Sequence, residues 1–432
     1  MKTDILIVGS GCSGLYCALN LPRDRKITII TKSDLESSDS FLAQGGICML
    51  KNEGDYDGFF EDTMKAGHYE NDKESVEIMI RSSQETIDDL VNYGVDFARD
   101  KAGNFAFTRE GAHRENRILF HEDVTGKEIT SHLLAAAKEQ PNIKFIEFAT
   151  MVDIIEKDNI CYGVVVSLED GSFEIIEAKH TVWATGGIGG IYEHSTNFRH
   201  LTGDAVAIAS LHGIELKDID YVQIHPTTLY TSNKMERSFL ISESVRGEGA
   251  KLYDARMHRF VNELLPRDMV AKAIHKQMEL DKTAFVWEDL RTIPDEELES
   301  HFPNIVNHCK KAGFDCEKEC IPVVPAQHYF MGGVKVNHES KTSMDRLYAV
   351  GETACNGVHG KNRLASNSLL ESLVFAKRAA LDITSDEREC EVPNRLFSDV
   401  DFTKYKDAVS LQKKYKEIIE KEIKESAERR AG

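Results

Sequence analysis

The chain has 432 residues, 41% of them hydrophobic, and a net charge of −19. This length allows two or three domains with a sizeable core. The negative charge disfavours binding to nucleic-acid phosphates or anionic membranes, and a site for an anionic substrate must therefore supply its own cations. Because no apolar run is long enough for a membrane span and the N-terminus enters a strand at once, we expect neither a membrane helix nor a signal peptide. The sequence therefore predicts a cytoplasmic protein with no nucleic-acid partner.

The start of the chain carries a dinucleotide-binding signal. Residues 4–8 (DILIV) are typical of a fully buried strand, and residues 9–14 (GSGCSG) follow with G-x-G-x-x-G spacing before a helical pattern. In this context the glycines serve a tight turn, a close approach to a pyrophosphate and the packing of the helix. The next strand, residues 26–30, is followed by Thr31-Lys32-Ser33 and lacks the acidic residue that usually holds a ribose. This absence disfavours a simple NAD site.

Further glycine-rich segments extend the signal. Residues 37–46 (SSDSFLAQGG) offer small polar side chains and a glycine pair suited to a flat polar ring. Residues 182–190 repeat a strand followed by glycines, and Thr202-Gly203-Asp204 opens a helix. Each segment alone is more often an ordinary glycine-rich turn. Together they favour one extended cofactor that passes several strand ends.

The segment 347–371 combines a strand end, a glycine loop and a helix start. Residues 347–350 are typical of a short buried strand, and the carboxylate of Glu352 can accept hydrogen bonds from sugar-type hydroxyls. Asn367 and Ser368 are predicted to cap the next helix, which leaves backbone N–H groups for an anionic or carbonyl-rich ligand. The alternative is an ordinary strand–loop–helix connection.

Two other segments have clear local patterns. Residues 72–92 are predicted to form one helix that stops at Gly94. Residues 153–179 are predicted to form a β-meander with turns at 158–159 and 170–171.

The nine cysteines are scattered and odd in number, as expected of reduced thiols. Cys309, Cys316 and Cys320 form the only cluster in the sequence, and their spacing matches no zinc or iron–sulfur motif. A metal or redox role is one interpretation of this cluster, and a coincidence of surface residues is the preferred one. No metal is predicted.

Together these motifs resemble the succinate dehydrogenase/fumarate reductase flavoprotein family over nearly the whole chain, up to about residue 380. The motifs that carry the resemblance are 43–46 (AQGG), 223–227 (QIHPT), 246–250 (RGEGA), 266–268 (PRD), 325–329 (PAQHY) and 362–371 (NRLASNSLLE). The resemblance implies FAD, a dicarboxylate substrate and hydride transfer. It also implies an α/β fold, in which a Rossmann-like FAD-binding domain (1–219 and 332–395) carries an inserted α+β capping domain (220–331) and a short helical C-terminal tail (396–432).

The resemblance, with the loops described above, predicts the cofactor site. The expected FAD-binding residues are Gly9, Ser10, Gly11, Cys12, Ser13, Gly14, Lys32, Asp39, Ser40, Ala43, Gln44, Gly45, Gly46, Asp204, Glu352, Asn367, Ser368 and Leu369. Family members with covalently bound FAD carry a histidine where Asp39 stands here. We therefore expect the flavin to be bound non-covalently.

The substrate residues are also implied by the resemblance. Oxidation of a small dicarboxylate requires both carboxylates to be clamped close to the flavin. The planar guanidinium of Arg363 suits one carboxylate, and His328 can add a donor. His225 with Ser242 and Glu243 suits the other carboxylate, with Glu243 expected to help fix the histidine.

The two predicted catalytic residues are Arg267 and Glu110. Arg267 occupies the place of the family's arginine that passes a proton to or from the substrate's methylene carbon, although a purely electrostatic role is the alternative. Residues 108–119 resemble the segment of family members that oxidise L-aspartate, in which a glutamate meets the substrate ammonium. Glu110 matches that glutamate, and the alternative is an ordinary mixed-charge surface loop.

The resemblance therefore implies oxidation of L-aspartate to iminoaspartate, the first step of NAD biosynthesis, with the flavin reoxidised by oxygen or fumarate. The alternatives are a soluble fumarate reductase and a non-catalytic flavoprotein subunit. The C-terminal tail departs from the helical domain usual in aspartate-oxidising members, and either packing on the body or a largely solvated helix suits its Lys/Glu-rich pattern. This departure leaves open the oligomeric state and any docking to quinolinate synthase.

Overall fold

The computed structural model describes residues 1–231, 237–388 and 392–431, and it has the expected α/β fold. The strands are β1 (Lys2–Val8), β2 (Ile27–Ile30), β3 (Ile47–Cys48), β4 (Ile118–Leu119), β5 (Ile143–Ile146), β6 (Thr150–Lys157), β7 (Ile160–Ser167), β8 (Phe173–Trp183), β9 (Leu216–Lys217), β10 (Val222–Leu229), β11 (Phe239–Leu240), β12 (Lys251–Tyr253), β13 (Val286–Asp289), β14 (Ile321–Phe330), β15 (Gly333–Lys335), β16 (Leu347–Ala349) and β17 (Ala354–Cys355). The α-helices are α1 (Cys12–Leu19), α2 (Asp39–Leu42), α3 (Tyr56–Ala66), α4 (Lys73–Arg81), α5 (Ser83–Asn92), α6 (Thr125–Lys138), α7 (Asp204–Leu211), α8 (Glu243–Gly247), α9 (Arg267–Asp281), α10 (Asp295–His301), α11 (Pro303–Lys311), α12 (Asn367–Ser385) and α13 (Ala408–Ala431).

The larger sheet is the Rossmann-like part of the expected FAD-binding domain. Its strand order is β5-β2-β1-β8-β7-β6, and β16 also pairs with β8. Strands β5, β2, β1, β8 and β16 run parallel, whereas β6, β7 and β8 form an antiparallel meander. The predicted turns of this meander are confirmed, because Asp158 and Asn159 adopt positive φ before β7 and Gly171 does so before β8.

The carboxyl ends of β1, β8 and β16 meet at one edge of this sheet. Val8 of β1 and Ala349 of β16 are both in register with Trp183 of β8. The loops that follow these three strands therefore start side by side, although they are far apart in sequence. In open parallel sheets, this edge is where ligands bind.

The predicted helix over 72–92 is interrupted in the structure. Asp72 does cap its start by accepting from Ser75 N, and Gly94 with a φ of +95° follows its end. The break lies at Ser82, between α4 and α5. The Ser83 hydroxyl donates to Ile80 O (2.6 Å) and accepts from Leu50 N (2.9 Å). This side chain competes with the helical backbone bonds, so the prediction of one continuous helix is wrong.

The capping domain has its own sheet and its own core. Its antiparallel sheet has the order β11-β10-β14-β13-β12, and helices α8–α11 lie within the same segment of the chain. Cys309 and Cys316 are fully buried in the core of this domain, whereas Cys320 is partly exposed. The interpretation of these cysteines as surface residues is thus wrong for the first two, because a buried thiol packs as a small hydrophobic group.

The C-terminal helix α13 packs on the body of the protein. It contacts α7, and Tyr415 and Ile419 are buried in the core beneath the larger sheet. The Tyr415 hydroxyl donates to Val152 O, and Arg430 donates to Asp218 (3.0 Å). Of the two interpretations of the tail, the packed helix is the correct one. Within the described ranges, no helix is both long and apolar enough to span a membrane.

Candidate active site

A deep cleft lies between the converging strand ends of the larger sheet and the capping domain. Sixteen of the predicted cofactor residues line it: Gly9, Ser10, Gly11, Cys12, Ser13, Lys32, Asp39, Ser40, Ala43, Gln44, Gly45, Gly46, Asp204, Glu352, Ser368 and Leu369. The predicted substrate and catalytic residues Glu110, His225, Ser242, Glu243, Arg267, His328 and Arg363 line the same cleft. Cofactor and substrate candidates thus share one cavity.

Two predicted cofactor residues lie behind the lining. A Cβ added to Gly14 would lie 2.3 Å from Gly9 O, so this glycine allows α1 to pack on the dinucleotide loop. Asn367 is fully buried and donates to Thr63 Oγ1 (3.1 Å). It is the first residue of α12, and Ser366 in a left-handed conformation is the N-cap. The prediction that Asn367 and Ser368 cap this helix is therefore wrong.

The dinucleotide loop is closely packed on its inner side and lines the cleft with residues 9–13. Gly9 has a φ of +119°, and a Cβ at this position would lie 2.0 Å from Ala184 O. A Cβ at Gly11 would approach Ser40 Oγ to 3.2 Å, and that same oxygen accepts from Cys12 N (3.1 Å). The two glycines therefore keep open a tight turn at the start of α1, where backbone N–H groups favour an anion such as a pyrophosphate.

Lys32 and Asp204 form a polar cluster along the same cleft. Lys32 Nζ donates to Asp204 Oδ2 (2.7 Å) and to Thr202 Oγ1 (2.8 Å). The Thr202 hydroxyl donates in turn to Asp204 Oδ1 (2.7 Å). The lysine follows β2 and the aspartate opens α7, so the fold joins two segments that the sequence separates widely.

Several buried polar atoms of the cleft lack a partner among the described residues. They are Ser38 Oγ, Asp39 Oδ2, Gln44 Oε1, Asn197 Oδ1 and His225 Nε2. Buried polar atoms are normally hydrogen-bonded, so a row of unsatisfied ones in a cavity indicates a polar ligand. Burial raises the pKa of Asp39 to about 7, although its Oδ1 accepts from Phe198 N (3.0 Å) and Arg237 lies close by. These groups fit a flavin, which presents both donors and acceptors.

The two arginines of the substrate end are held by one glutamine. Gln223 Oε1 accepts from Arg267 Nη1 (3.0 Å) and from Arg363 Nε (3.3 Å). Its Nε2 donates to Asn362 Oδ1 and to Arg363 O, both at 2.8 Å. The guanidinium of Arg363 also stacks on the Tyr329 ring, 4.5 Å from its centroid. Burial and the neighbouring Arg267 lower the pKa of Arg363 to about 10, so it remains a cation at neutral pH.

Gln223 begins the 223–227 motif but was not among the predicted site residues. A signal for it existed, because Gln223 and His225 are two residues apart on β10 and such positions face the same side of a strand. The sequence could not show that one amide oxygen serves both cations. Gln223 therefore presets the separation of the two arginines.

The two predicted substrate-binding histidines, His225 and His328, are adjacent and neutral. Their ring centroids are 5.1 Å apart, and His328 Nδ1 lies 2.8 Å from Thr196 Oγ1. Burial, with Arg363 and Arg267 close by, holds the pKa of His328 well below its usual range. Burial, Arg267 and the other imidazole do the same for the pKa of His225. Both side chains therefore act as hydrogen-bonding groups and not as charges.

Glu243 pairs with Arg267 and not with His225. Arg267 Nε donates to Glu243 Oε2, and both side chains are buried. His225 Nδ1 instead accepts from Thr227 N (3.2 Å). The expectation that Glu243 fixes the histidine is wrong, because the first residue of α8 faces the first residue of α9. Burial opposes ionisation of Glu243, but Arg267 and the buried Arg246 outweigh it and lower its pKa.

Glu110 is buried in the cleft, which excludes the surface-loop interpretation. Only 5% of its surface is exposed. Its carboxylate accepts from Ser244 Oγ (3.1 Å) and from Ser366 Oγ (2.7 Å). Burial and the neighbouring Glu243 raise the pKa of Glu110. Within the part of the chain that the structure describes, no cation donates a hydrogen bond to this carboxylate.

A buried ion network fixes the loop that carries Glu110. Arg117 is completely buried and donates to Asp55 Oδ1 (2.9 Å) and Asp62 Oδ2 (2.8 Å). Its Nη1 also lies 3.0 Å from His113 Nδ1. Asp62 belongs to α3, so the loop is anchored to the FAD-binding domain.

Comparisons with known proteins agree with an FAD-binding fold. The family model described as "FAD binding domain" matches residues 4–369. An L-aspartate oxidase of Clostridium perfringens is 49% identical over 397 residues, which are 90% of this chain and 90% of that protein. An L-aspartate oxidase of Bacillus subtilis is 39% identical over 88% of this chain and 71% of its own length. A solved E. coli quinol fumarate reductase chain is 28% identical, with a TM-score of 0.85 over 96% of this chain and 74% of that one.

The cleft, the fold and the family match define an FAD-binding flavoprotein. The chain belongs to the L-aspartate oxidases within the succinate dehydrogenase/fumarate reductase flavoprotein family.

Proposed function

We propose that this protein oxidises L-aspartate to iminoaspartate with FAD, the first step of NAD biosynthesis, and that oxygen or fumarate reoxidises the flavin. The observation that carries the proposal is the buried Glu110 carboxylate. It lies in one cleft with Arg267 and Arg363, and among the described residues it is hydrogen-bonded by hydroxyls alone. A site for a plain dicarboxylate has no use for an extra buried carboxylate. A site for an amino dicarboxylate requires one.

The charges of the cleft match those of L-aspartate. Arg363 offers a planar fork for one carboxylate, and the neutral imidazoles of His225 and His328 add hydrogen-bonding groups without adding charge. Glu110 would meet the ammonium. Burying an ammonium without a partner costs several kcal/mol, which explains why a carboxylate at this position decides between aspartate and succinate.

The residues of the glycine loops would hold the cofactor. The dinucleotide loop at Gly9 and Gly11 would receive the pyrophosphate, and Gln44 and Asp39 have unsatisfied oxygens for the ring system. Glu352, whose pKa burial and Asp39 raise to about 8, would contact a sugar-type hydroxyl. When bound, FAD supplies the acceptor for the hydride of the α-carbon.

Arg267 is the residue that we assign to proton transfer at the methylene carbon when fumarate is reduced to succinate. Oxidation of L-aspartate to iminoaspartate instead removes a hydride from the α-carbon and a proton from the nitrogen. Gln223 and Glu243 hold its guanidinium from two sides, so its position does not depend on the substrate. Glu243, ionised because of Arg267 and Arg246, holds the Arg267 guanidinium in the position from which it would deliver a proton during fumarate reduction. The bound substrate would be protonated on the carbon opposite the one that exchanges hydride.

Anaerobic mixing of the purified holoprotein with L-aspartate tests the proposal. We expect L-aspartate to bleach the oxidised flavin band, D-aspartate to have little effect, and oxygen or fumarate to restore the band. Fumarate reduction by a reduced dye, without reduction of the flavin by L-aspartate, would instead favour the soluble fumarate reductase. The absence of both reactions in flavin-loaded protein would favour a non-catalytic flavoprotein.

The domain boundaries, the location in the cell and the protein partner are part of the same proposal. We assign residues 1–219 and 332–395 to the FAD-binding domain, 220–331 to the capping domain and 396–432 to the tail; the boundaries at 220 and 331 are supported by the sheet that starts at Val222 and ends at Phe330. A cytoplasmic location and quinolinate synthase as a partner that takes up the product stay predictions.

A further inference from the structure

Glu110 is held from two parts of the protein at once. Ser366, the N-cap of α12 in the FAD-binding domain, donates to Glu110 Oε2 (2.7 Å). Ser244, in helix α8 of the capping domain, donates to Glu110 Oε1 (3.1 Å). The carboxylate that we assign to the ammonium therefore has one oxygen fixed by each domain.

The neighbouring backbone brings the same two parts into direct contact. A Cβ added to Gly111 would lie 2.1 Å from Glu243 Oε1. Residues 110 and 111 thus lie directly against the first turn of α8. Since the loop is anchored to the FAD-binding domain through Arg117 and Asp62, the Ser244–Glu110 hydrogen bond joins the capping domain to a rigid point.

Ser244 also connects the two ends of the substrate site. The Ser242 hydroxyl donates to Ser244 Oγ (3.3 Å). The Ser244 hydroxyl in turn donates its one proton to Glu110 Oε1. Ser242 is a candidate for contact with a substrate carboxylate, whereas Glu110 is the candidate for the ammonium. If Ser242 turns its proton towards a substrate carboxylate, Ser244 can still donate to Glu110, because a hydroxyl has one donor and two acceptor positions.

We propose that Ser244 is a positioning residue that makes the site selective for an amino dicarboxylate by holding the Glu110 carboxylate towards the substrate ammonium when the capping domain is closed. The proposal rests on the proposed function of Glu110. Without the Ser244 hydroxyl, Oε1 of a buried carboxylate next to Glu243 would lose its hydrogen bond, and the carboxylate would turn away or take up a proton. Binding of fumarate, which has no ammonium, does not require that orientation.

Steady-state kinetics of the flavin-loaded variants test this inference. For Ser244→Ala, we expect the KM for L-aspartate to rise about tenfold, as for loss of one hydrogen bond to a charged group. The KM and kcat of fumarate reduction by a reduced dye should stay within about twofold, because the arginines are untouched. Ser244→Thr, which keeps the hydroxyl, should restore most of the aspartate affinity. Ser300→Ala, on an exposed position of α10, is the matched control and should change neither activity.

A double-mutant cycle separates this inference from the function on which it rests. If Ser244 acts through Glu110, then Ser244→Ala should have no further effect on aspartate oxidation in a Glu110→Gln background. An equal rise in KM for aspartate and fumarate, or an unchanged KM for aspartate, would overturn the role of Ser244. Failure of wild-type protein to oxidise aspartate would instead overturn the proposed function. If Ser244→Ala does not fold, Ser244→Cys, which is nearly isosteric and a weak donor, should show the same selective rise.

Discussion

Arg267 and Glu243 form a buried ion pair between the first residues of two capping-domain helices, and both side chains line the cleft. Arg267 also donates to Gln223 through Nη1, so its guanidinium is held in place without a ligand. The cleft therefore contains a preset cation beside the substrate-binding Arg363. The first predictions below depend on the difference between these two arginines and on the Glu110 carboxylate.

Replacement of Arg267 by leucine should mainly lower the rate of fumarate reduction. Leucine cannot deliver a proton to the substrate, whereas Arg363 and the histidines remain to bind the dicarboxylate. The measurement is kcat and KM with a reduced dye as the electron donor, with the flavin spectrum as a check on folding. Near-normal fumarate turnover in Arg267→Leu would remove its proton-transfer role and leave only an electrostatic one.

Replacement of Arg363 by lysine should weaken dicarboxylate binding by about 1–3 kcal/mol. Lysine keeps the charge but loses the planar fork, the stacking on Tyr329 and the hydrogen bond to Gln223. Titration of the oxidised flavin spectrum with succinate measures this affinity directly. Arg256→Lys, at an exposed position, serves as the control and should not differ from wild type. Equal affinity in Arg363→Lys would show that charge alone suffices.

Glu110→Gln should lose most aspartate oxidation and retain much of its fumarate reduction. Glutamine keeps the shape, and its single carbonyl oxygen can still accept from one of the two serines, but it cannot pair with an ammonium. The two activities should be compared on the same flavin-loaded preparation. Equal loss of both would mean that Glu110 supports the fold or the flavin, and that aspartate is recognised in another way.

The pH dependence of aspartate oxidation should report the ionisation of Glu110. Burial and Glu243 raise the pKa of Glu110, whereas Arg267 and the hydroxyls of Ser366 and Ser244 partly oppose this. Because only the ionised form attracts the ammonium, kcat/KM for aspartate should fall as the pH decreases through a value above the usual range of a glutamate. The Arg363 guanidinium also faces Glu110 but stays charged across this range. The acidic limb should be missing from the residual activity of Glu110→Gln, and its persistence there would assign it to another group.

The aspartate at position 39 indicates that the flavin is bound non-covalently and leaves the protein on denaturation. The family resemblance implies a histidine at this position in members with covalently bound flavin, and a carboxylate does not provide the nucleophilic ring nitrogen of such a link. Acid precipitation should leave a yellow supernatant. A protein pellet that stays yellow after washing would show a covalent bond.

The packing of helix α13 on the body predicts that a substitution in this helix lowers the stability of the protein, although the helix lies outside the substrate site. Ile419 is completely buried. Its Cδ1 would lie 2.9 Å from a Cβ added to the cleft residue Gly203. Ile419→Ala should lower the free energy of unfolding by about 2–5 kcal/mol and weaken retention of FAD. Val409→Ala, on the same helix with the valine 80% exposed, should change it by less than about 0.5 kcal/mol. Denaturant unfolding followed by circular dichroism, with flavin release measured in parallel, would distinguish the two.

Local pattern alone was enough for the elements whose signals lie within a few residues. The glycine spacing at 9–14 predicts the dinucleotide turn, and the positive-φ turns at 158–159 and 171 follow directly from the residue types. The family motifs likewise indicated which arginines and histidines line the cleft. These features depend on backbone conformations and side-chain chemistry that neighbouring residues determine.

Tertiary contacts decided the rest, because the partner of a buried polar group depends on which distant segments converge. Ser83 interrupts a helix because Leu50 N reaches it, and Cys316 is buried because the chain folds back onto the capping-domain core. Glu243 faces Arg267 because the starts of α8 and α9 meet. One oxygen of Gln223 serves two arginines from segments far apart in the chain. The sequence and its family resemblance therefore indicated the substrate and catalytic side chains that line the cleft but not Gln223, and only the folded structure determined how they are paired.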